Sequence, residues 1–351
     1  MGDRLPRVRV AAVQAAPVFL DREATVEKAC RLIQEAGRAG AQVVAFPEGF
    51  VPGHPLWYHF HPATGERSRE YAARLFANAV TVPGPETEAL GQACKRVGAW
   101  AVVGVCEKQR GTTGTLYNSL VFLSPRGRVE HVHRKLTPTV GERLVHAPGR
   151  PVGLRVLDTE VGRLSGLICG ENSNPLAVFV LLSQHTMIHV ASWPNLPGRG
   201  MLPRSERALL AGRAFAFTAK AFVVNACGTV DDRMREMLAY TDEDCAFLAC
   251  PELAGGSSVV GPSGEVVAGP LGPEEAVLYA EVDLERCVYE RTVHDFAGHY
   301  NRPDVFELRV RSRPPQMLRW VEEGRTADGP EAAPAVWDAG HIEQVTERSR
   351  T

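Results

Sequence analysis

Short apolar runs alternate along this chain with amphipathic segments of helical period, and this alternation limits the possible folds more than any other feature. Residues 8–14 are an apolar run rich in Val and Ala, which predicts a buried strand. Residues 23–39 then carry Val26, Ala29, Cys30 and Ile33 at helical spacing, with Gly37 and Gly40 marking the end. Residues 42–46 predict a second buried strand, stopped by Pro47. A helix opening at Pro85 carries Leu90, Ala93, Cys94 and Val97 on one face and leads into an apolar strand over 100–106. Strands that are apolar on both faces need cover on both, so the chain reads as α/β.

From there antiparallel pieces enter. Residues 117–123 and 129–133 flank Ser124-Pro125-Arg126-Gly127-Arg128, a hairpin turn. The second half repeats the theme, with strands expected over 154–159, 164–168, 187–191, 222–226, 257–260, 265–268 and 276–282. Helices are expected over 175–184, 203–219 and 284–293. The sheets should therefore be mixed. Residues 49–65, rich in Gly, Pro and aromatics, predict an ordered loop over a pocket. No repeat of solenoid length is present. The expected division is a domain over 1–310 and a Pro-, Glu- and Arg-rich tail over 311–351, extended or used in assembly.

Charge and composition narrow the function. With 39 Lys+Arg against 41 Asp+Glu, no global charge draws the chain to nucleic acid or an anionic membrane. The most apolar stretch, 176–182, is far short of the roughly 20 residues that span a bilayer. Arg7, Arg9, Gln14 and Pro17 interrupt any signal-peptide core, and Pro6 occupies the position where a myristoylation site needs Ser or Thr. A cytoplasmic protein is expected. Its eight cysteines form no paired framework and read as reduced, mostly buried thiols.

One of them could be reactive. Cys169 ends the run 164–168 and precedes Asn174-Pro175, a helix-start signal. A cysteine on a strand-to-helix turn is an exposed nucleophile flanked by backbone N–H groups; equally, cysteine is among the most buried residue types. Glu48, just past a buried strand, suits a general base or a plain loop carboxylate. Lys135, after the strand 129–133, could hold an oxyanion or simply be solvated, and Glu142 seven residues later says nothing alone. His131-x-His133 and His59-x-His61 are fragments of a zinc pattern without its remainder, so no metal is expected. No phosphate-binding glycine loop and no Gly-x-Ser-x-Gly elbow occurs, and no cofactor is expected.

Taken together, Phe46-Pro47-Glu48, His133-Arg134-Lys135-Leu136 and Leu167-Ile168-Cys169-Gly170-Glu171-Asn172 resemble the Glu, Lys and Cys segments of the nitrilase superfamily of carbon–nitrogen hydrolases. The similarity runs from about residue 8 to residue 310. Val51-Pro52-Gly53-His54-Pro55, Pro138-Thr139, Glu142-Arg143, Ser192-Trp193-Pro194 and the segment 298–306 look like the nitrilase branch rather than the amidase branches. The resemblance implies a four-layer α-β-β-α sandwich. It departs at Gly170, where nitrilases usually carry Trp, and at Thr218, where many members carry an acidic residue.

The resemblance also implies roles. Cys169 would attack a nitrile carbon, Glu48 would act as general base, and Lys135 with the Gly170 N–H would stabilise developing charge. Glu142 would position Lys135 or the substrate. The apolar Trp57 and Trp193, with His54, would wall the substrate, a small-molecule nitrile. Release of ammonia and then acid makes a nitrilase; an amidase, or a cyanide hydratase or dihydratase, could use the same residues. A non-catalytic oligomeric scaffold is the reading from another class, because relatives assemble as homodimers and sometimes as helical oligomers.

Overall fold

The computed structural model describes residues 4–311, so the expected tail lies outside the described residues but for its first position. Along the chain the strands are Arg7–Gln14 (β1), Val43–Ala45 (β2), Trp100–Lys108 (β3), Leu116–Leu123 (β4), Val129–Arg134 (β5), Leu157–Thr159 (β6), Gly162–Ile168 (β7), Ile188–Trp193 (β8), Phe222–Cys227 (β9), Ser258–Val260 (β10), Val266–Ala268 (β11) and Ala276–Asp283 (β12). They form two six-stranded sheets, ordered β12-β1-β2-β3-β4-β5 and β11-β10-β9-β8-β7-β6. Each sheet has three central parallel strands, β1-β2-β3 or β7-β8-β9, with antiparallel strands outside them.

The helices are Arg22–Arg38 (α1), Glu66–Asn78 (α2), Pro85–Val97 (α3), Pro175–Leu182 (α4), Arg204–Ala219 (α5), Asp232–Leu238 (α6), Asp242–Ala249 (α7) and Glu285–Arg291 (α8). Strand alternation assigns the layers. Val8, Val10 and Ala12 of β1 join Val102, Leu120 and Phe122 against Leu164, Val190 and Val224 of the facing sheet. Ala11 and Val13 point the other way, into a core with Ala29 and Ile33 of α1 and Leu90 and Ala93 of α3. Helices α4 and α5 cover the second sheet through Ala177, Leu181, Ala208 and Phe215. The result is the expected four-layer α-β-β-α sandwich. Among the described residues no helix is long and apolar enough to cross a membrane.

Two sequence expectations need correction. Only Leu157–Thr159 of the strand expected over 154–159 pairs, because Pro151 opens a single helical turn just before it. Helices α2, α6 and α7 were not expected. In α2 only Ser68 and Leu75 are buried, too few to give an apolar stripe.

Candidate active site

Glu48 leaves the C-terminal end of β2 through Phe46-Pro47. Its N–H donates to the Trp193 carbonyl at the end of β8 (3.1 Å), and the Ser192 hydroxyl donates to the Phe46 carbonyl (2.8 Å). These bonds fasten the two sheets together where their parallel strands end, the place where open α/β sheets hold ligands. Gly104 of β3 lies directly beneath: a Cβ there would stand 2.1 Å from the Pro47 carbonyl oxygen and 3.0 Å from Glu48 Cα. A side chain at 104 would push the Glu48 turn away.

Lys135 follows β5 on the face of His131 and His133, which are paired with Phe122 and Leu120. Its ammonium is 2% exposed and donates to Glu48 Oε1 (2.7 Å) and Glu142 Oε2 (2.5 Å). Asn118 of β4 completes the group. Its Nδ2 donates to Glu48 Oε1 and to Glu142 Oε1, both at 2.7 Å. Glu142 also accepts from the Thr139 N–H (2.8 Å) and from His146 Nδ1 (3.2 Å), and the Cys106 thiol donates to His146 Nε2 (2.8 Å). Glu48 Oε2, also buried, has no partner among the described residues.

Burial divides the two glutamates electrostatically. It raises Glu48 above the usual carboxylate range, and the Glu142 charge adds to the rise against Lys135 and Asn118. Burial would raise Glu142 as well, but the His146 hydrogen bond and the Lys135 ammonium hold it far below its ordinary value. Lys135 would be lowered by burial, yet the negative charges of Glu48 and Glu142 hold it firmly protonated. Burial brings His54 down to about 3, leaving a neutral imidazole whose Nδ1 is 3.7 Å from Glu48 Oε1. The pair thus offers one permanent carboxylate and one basic carboxylate with a free oxygen, the usual division between anchor and base.

Cys169 caps β7 in the left-handed region, at φ 51°. Such a conformation costs a non-glycine residue on the order of 1–3 kcal/mol and must be held by its surroundings. Glu171 and Asn172 hold it. Glu171 accepts from the Ile168 N–H (3.0 Å), the Leu136 N–H (2.7 Å) and His133 Nε2 (2.9 Å), tying the cysteine turn to the residue after Lys135. The Asn172 amide donates to the Cys169 carbonyl (2.9 Å) and accepts from His189 Nε2 (2.8 Å). Burial and the Glu48 charge raise the Cys169 thiol pKa, while Lys135 and Arg204 pull it down. A protonated thiol beside a basic carboxylate gives up its proton as it attacks.

Of the residues singled out in the sequence, Glu48, Lys135 and Glu142 are in direct contact and Cys169 lies within their electrostatic field. His54 adjoins Glu48, and Trp193 meets it through the backbone. The Trp193 indole is turned toward Asn225, donating at 3.0 Å. Trp57 is fully buried in an apolar cluster with Phe19 and Leu75, its ring centroid 5.3 Å from Tyr58 and 5.7 Å from Tyr71 of α2. Asn118, His146 and Glu171 escaped sequence reasoning as site residues. The available signal was Asn118 itself, a polar residue in register with Leu120 and Phe122 on the apolar inter-sheet face. Glu48, His54 and Glu142 bring potential metal-ligand atoms within 4.8 Å of one another. The Lys135 ammonium already bridges the two carboxylates, so a divalent ion there would face a fixed positive charge.

Gly170 is exposed, and a Cβ on it would meet nothing within 4 Å. Gly170→Trp should therefore fold, with unfolding free energy within about 0.5 kcal/mol of the parent by denaturant titration. Its kcat/KM should fall more for bulky substrates than for small ones. A large stability loss would show that the backbone at 170 requires glycine.

The chain is similar to known proteins in sequence and in fold. A family model described as carbon-nitrogen hydrolase matches residues 9–289. "Nitrilase 2" from an unknown prokaryotic organism is 38% identical over 315 residues, covering 89% of this chain and 95% of the relative. A nitrilase of Bacillus sp. (strain OxB-1) is 34% identical, covering 86% of this chain and 88% of its own. Among solved structures, a carbon-nitrogen hydrolase from Helicobacter pylori G27 superposes with a TM-score of 0.65 at 20% identity, over 85% of this chain and 97% of its own.

Proposed function

Because the chain belongs to the carbon–nitrogen hydrolase family, we propose that it is a nitrilase, converting an organic nitrile and two waters to a carboxylic acid and ammonia. The observation that carries this reading is the buried Glu48–Lys135–Glu142 cluster, with one glutamate oxygen unpartnered, tied through Glu171 to the strained turn of a cysteine whose thiol feels the Glu48 and Lys135 charges. The curated relatives named as nitrilases favour nitriles over amides as substrate class.

In this reaction the Cys169 sulfur bonds to the nitrile carbon as its proton passes to Glu48 Oε2. Glu48 returns that proton to the nitrogen, giving a thioimidate. Water then adds, and Glu48 takes its proton and passes it to the nitrogen; the proton of the new hydroxyl follows by the same route, and the tetrahedral carbon expels ammonia to leave a thioester with Glu48 again a carboxylate. A second water, activated by the same carboxylate, releases the acid and restores the thiol. Lys135 and the Gly170 N–H stabilise negative charge on the reacting atoms. Glu142, ionised throughout, keeps Lys135 charged and in place. Self-association is part of the proposal, supported by the exposed Leu210 and Phe217 on α5 and Val288 and Tyr289 on α8.

The test is ammonia release from aliphatic, aromatic and arylacetonitriles, cyanide and the matching amides, with acid and amide products separated. Nitrile-dependent ammonia that disappears in Cys169→Ala is expected. Turnover of amides alone would make the chain an amidase. Amide formation without ammonia would make it a hydratase, and silence on all of them in an assembled protein would favour the scaffold.

A further inference from the structure

Arg204 is the first residue of α5 and is only 2% exposed, as deeply buried as Lys135. Lys135 is held by two carboxylates; Arg204 pairs with none among the described residues. One of its terminal nitrogens, Nη2, donates to the Leu196 carbonyl, and its guanidinium carbon lies 5.8 Å from the Trp193 ring centroid. Its Nε and Nη1, both buried, have no acceptor. A buried guanidinium without a counter-charge costs several kcal/mol, and this one keeps two of its donors for something else.

Its position says what that is. Trp193 passes its carbonyl to Glu48, and α5 packs against the turn Cys169–Ser173. Arg204 also acts on the sulfur electrostatically: burial and Glu48 raise the Cys169 thiol pKa, and Arg204 works with Lys135 against them. Burial pushes the neighbouring Cys227 up to about 12, again opposed by Arg204. The helix N-terminus adds its own partial positive charge at the same place. The unpaired guanidinium charge calls for an anion, and either free donor, Nε–H or Nη1–H on its own edge of the plane, can hold one carboxylate oxygen.

We propose that Arg204 binds a carboxylate carried by the substrate, so that the preferred substrates of this chain are nitriles bearing a carboxylate at the far end from the cyano group. This rests on the nitrilase reading. It adds a specificity residue that takes no part in bond making at sulfur, and it places the substrate's charged end toward the start of α5.

The experiment compares a series of ω-cyanocarboxylates of increasing length with nitriles of equal length ending in methyl. It uses the full chain and its Arg204→Met and Arg204→Lys variants, with unfolding midpoints recorded for each. The parent should prefer the best cyanocarboxylate over its methyl-terminated partner by about 10²-fold in kcat/KM, carried mainly by KM. In Arg204→Met that ratio should fall to near one, and Arg204→Lys should keep part of it. An unchanged ratio in Arg204→Met, or no preference in the parent, overturns the proposal. If Arg204→Met does not fold, Arg204→Lys decides: a reduced preference supports the assignment and an undiminished one overturns it.

Calorimetric titration of the same cyanocarboxylates into Cys169→Ala, with and without Arg204→Met, gives a readout free of turnover. Binding that needs Arg204 supports the carboxylate site even if the parent turns over no nitrile, in which case the nitrilase reading alone fails. Binding indifferent to Arg204, or none, overturns the proposal.

Discussion

Glu48→Gln is expected to lower kcat for ammonia release by about 10²–10⁴-fold, the usual worth of a general base, while leaving the protein as stable as before or more so. Glutamine has the shape of the glutamate, and its amide oxygen can still accept from Lys135 and Asn118. What it lacks is the affinity for the Cys169 proton. The stability half follows from the raised pKa of Glu48, whose first cause is burial. A group whose pKa is higher folded than unfolded adds stability at low pH and loses it as pH rises through the folded value. The parent therefore carries a cost at neutral pH that the variant does not, and the difference in unfolding midpoint, variant minus parent, should grow from pH 5 to pH 7. Steady-state kinetics and thermal unfolding at both pH values check the two halves separately. Activity within tenfold of the parent would remove Glu48 from the role of base.

Lys135→Met is expected to behave in the opposite way, losing both activity and stability. The ammonium is bonded to two buried carboxylates. Removing one partner of a buried ionic group leaves the others uncompensated, typically at about 3–5 kcal/mol. Without Lys135, Glu48 and Glu142 repel each other in the interior and take up protons more readily in the folded state. Their contribution is then present below the unfolded carboxylate pKa and lost as pH rises. The deficit against the parent should therefore shrink as pH falls from 7 toward 4, measured by denaturant titration across that range. A deficit independent of pH would mean that Lys135 contributes packing rather than charge.

The three proposed catalytic residues, Glu48, Lys135 and Cys169, were legible in the sequence because each ends a strand and stands in a distinctive local string. The layers came from the family resemblance: runs such as Val8–Val13, apolar at every position but Arg9, show that a strand is covered on both faces but not by what. What holds the three residues in place was not legible. Asn118 meets Glu48 across 70 positions and Glu142 across 24, and Glu171 meets His133 across 38, so no local window contains any of the three contacts. His133, half of a metal-like pair by spacing, is explained by that bond to Glu171. Arg204 was not singled out, because a helix start is normally wet; in the fold it is buried against Leu196 and Trp193. Helices α2, α6 and α7 were missed because few of their residues face the interior.

The position of β12 has a consequence for how the chain is made. It pairs with β1 along eight residues, from Arg7 opposite Asp283 to Gln14 opposite Ala276. Every strand of the second sheet lies between β5 and β12 in the chain. During synthesis, β1 to β5 therefore emerge with the outer edge of β1 unpaired until the whole second sheet has followed. An open edge of that kind is a template for other chains, and pairings this distant are slow to close. Yield in the cell should depend on how long that edge stands uncovered, and slower elongation between residues 140 and 275 should favour aggregation over soluble product.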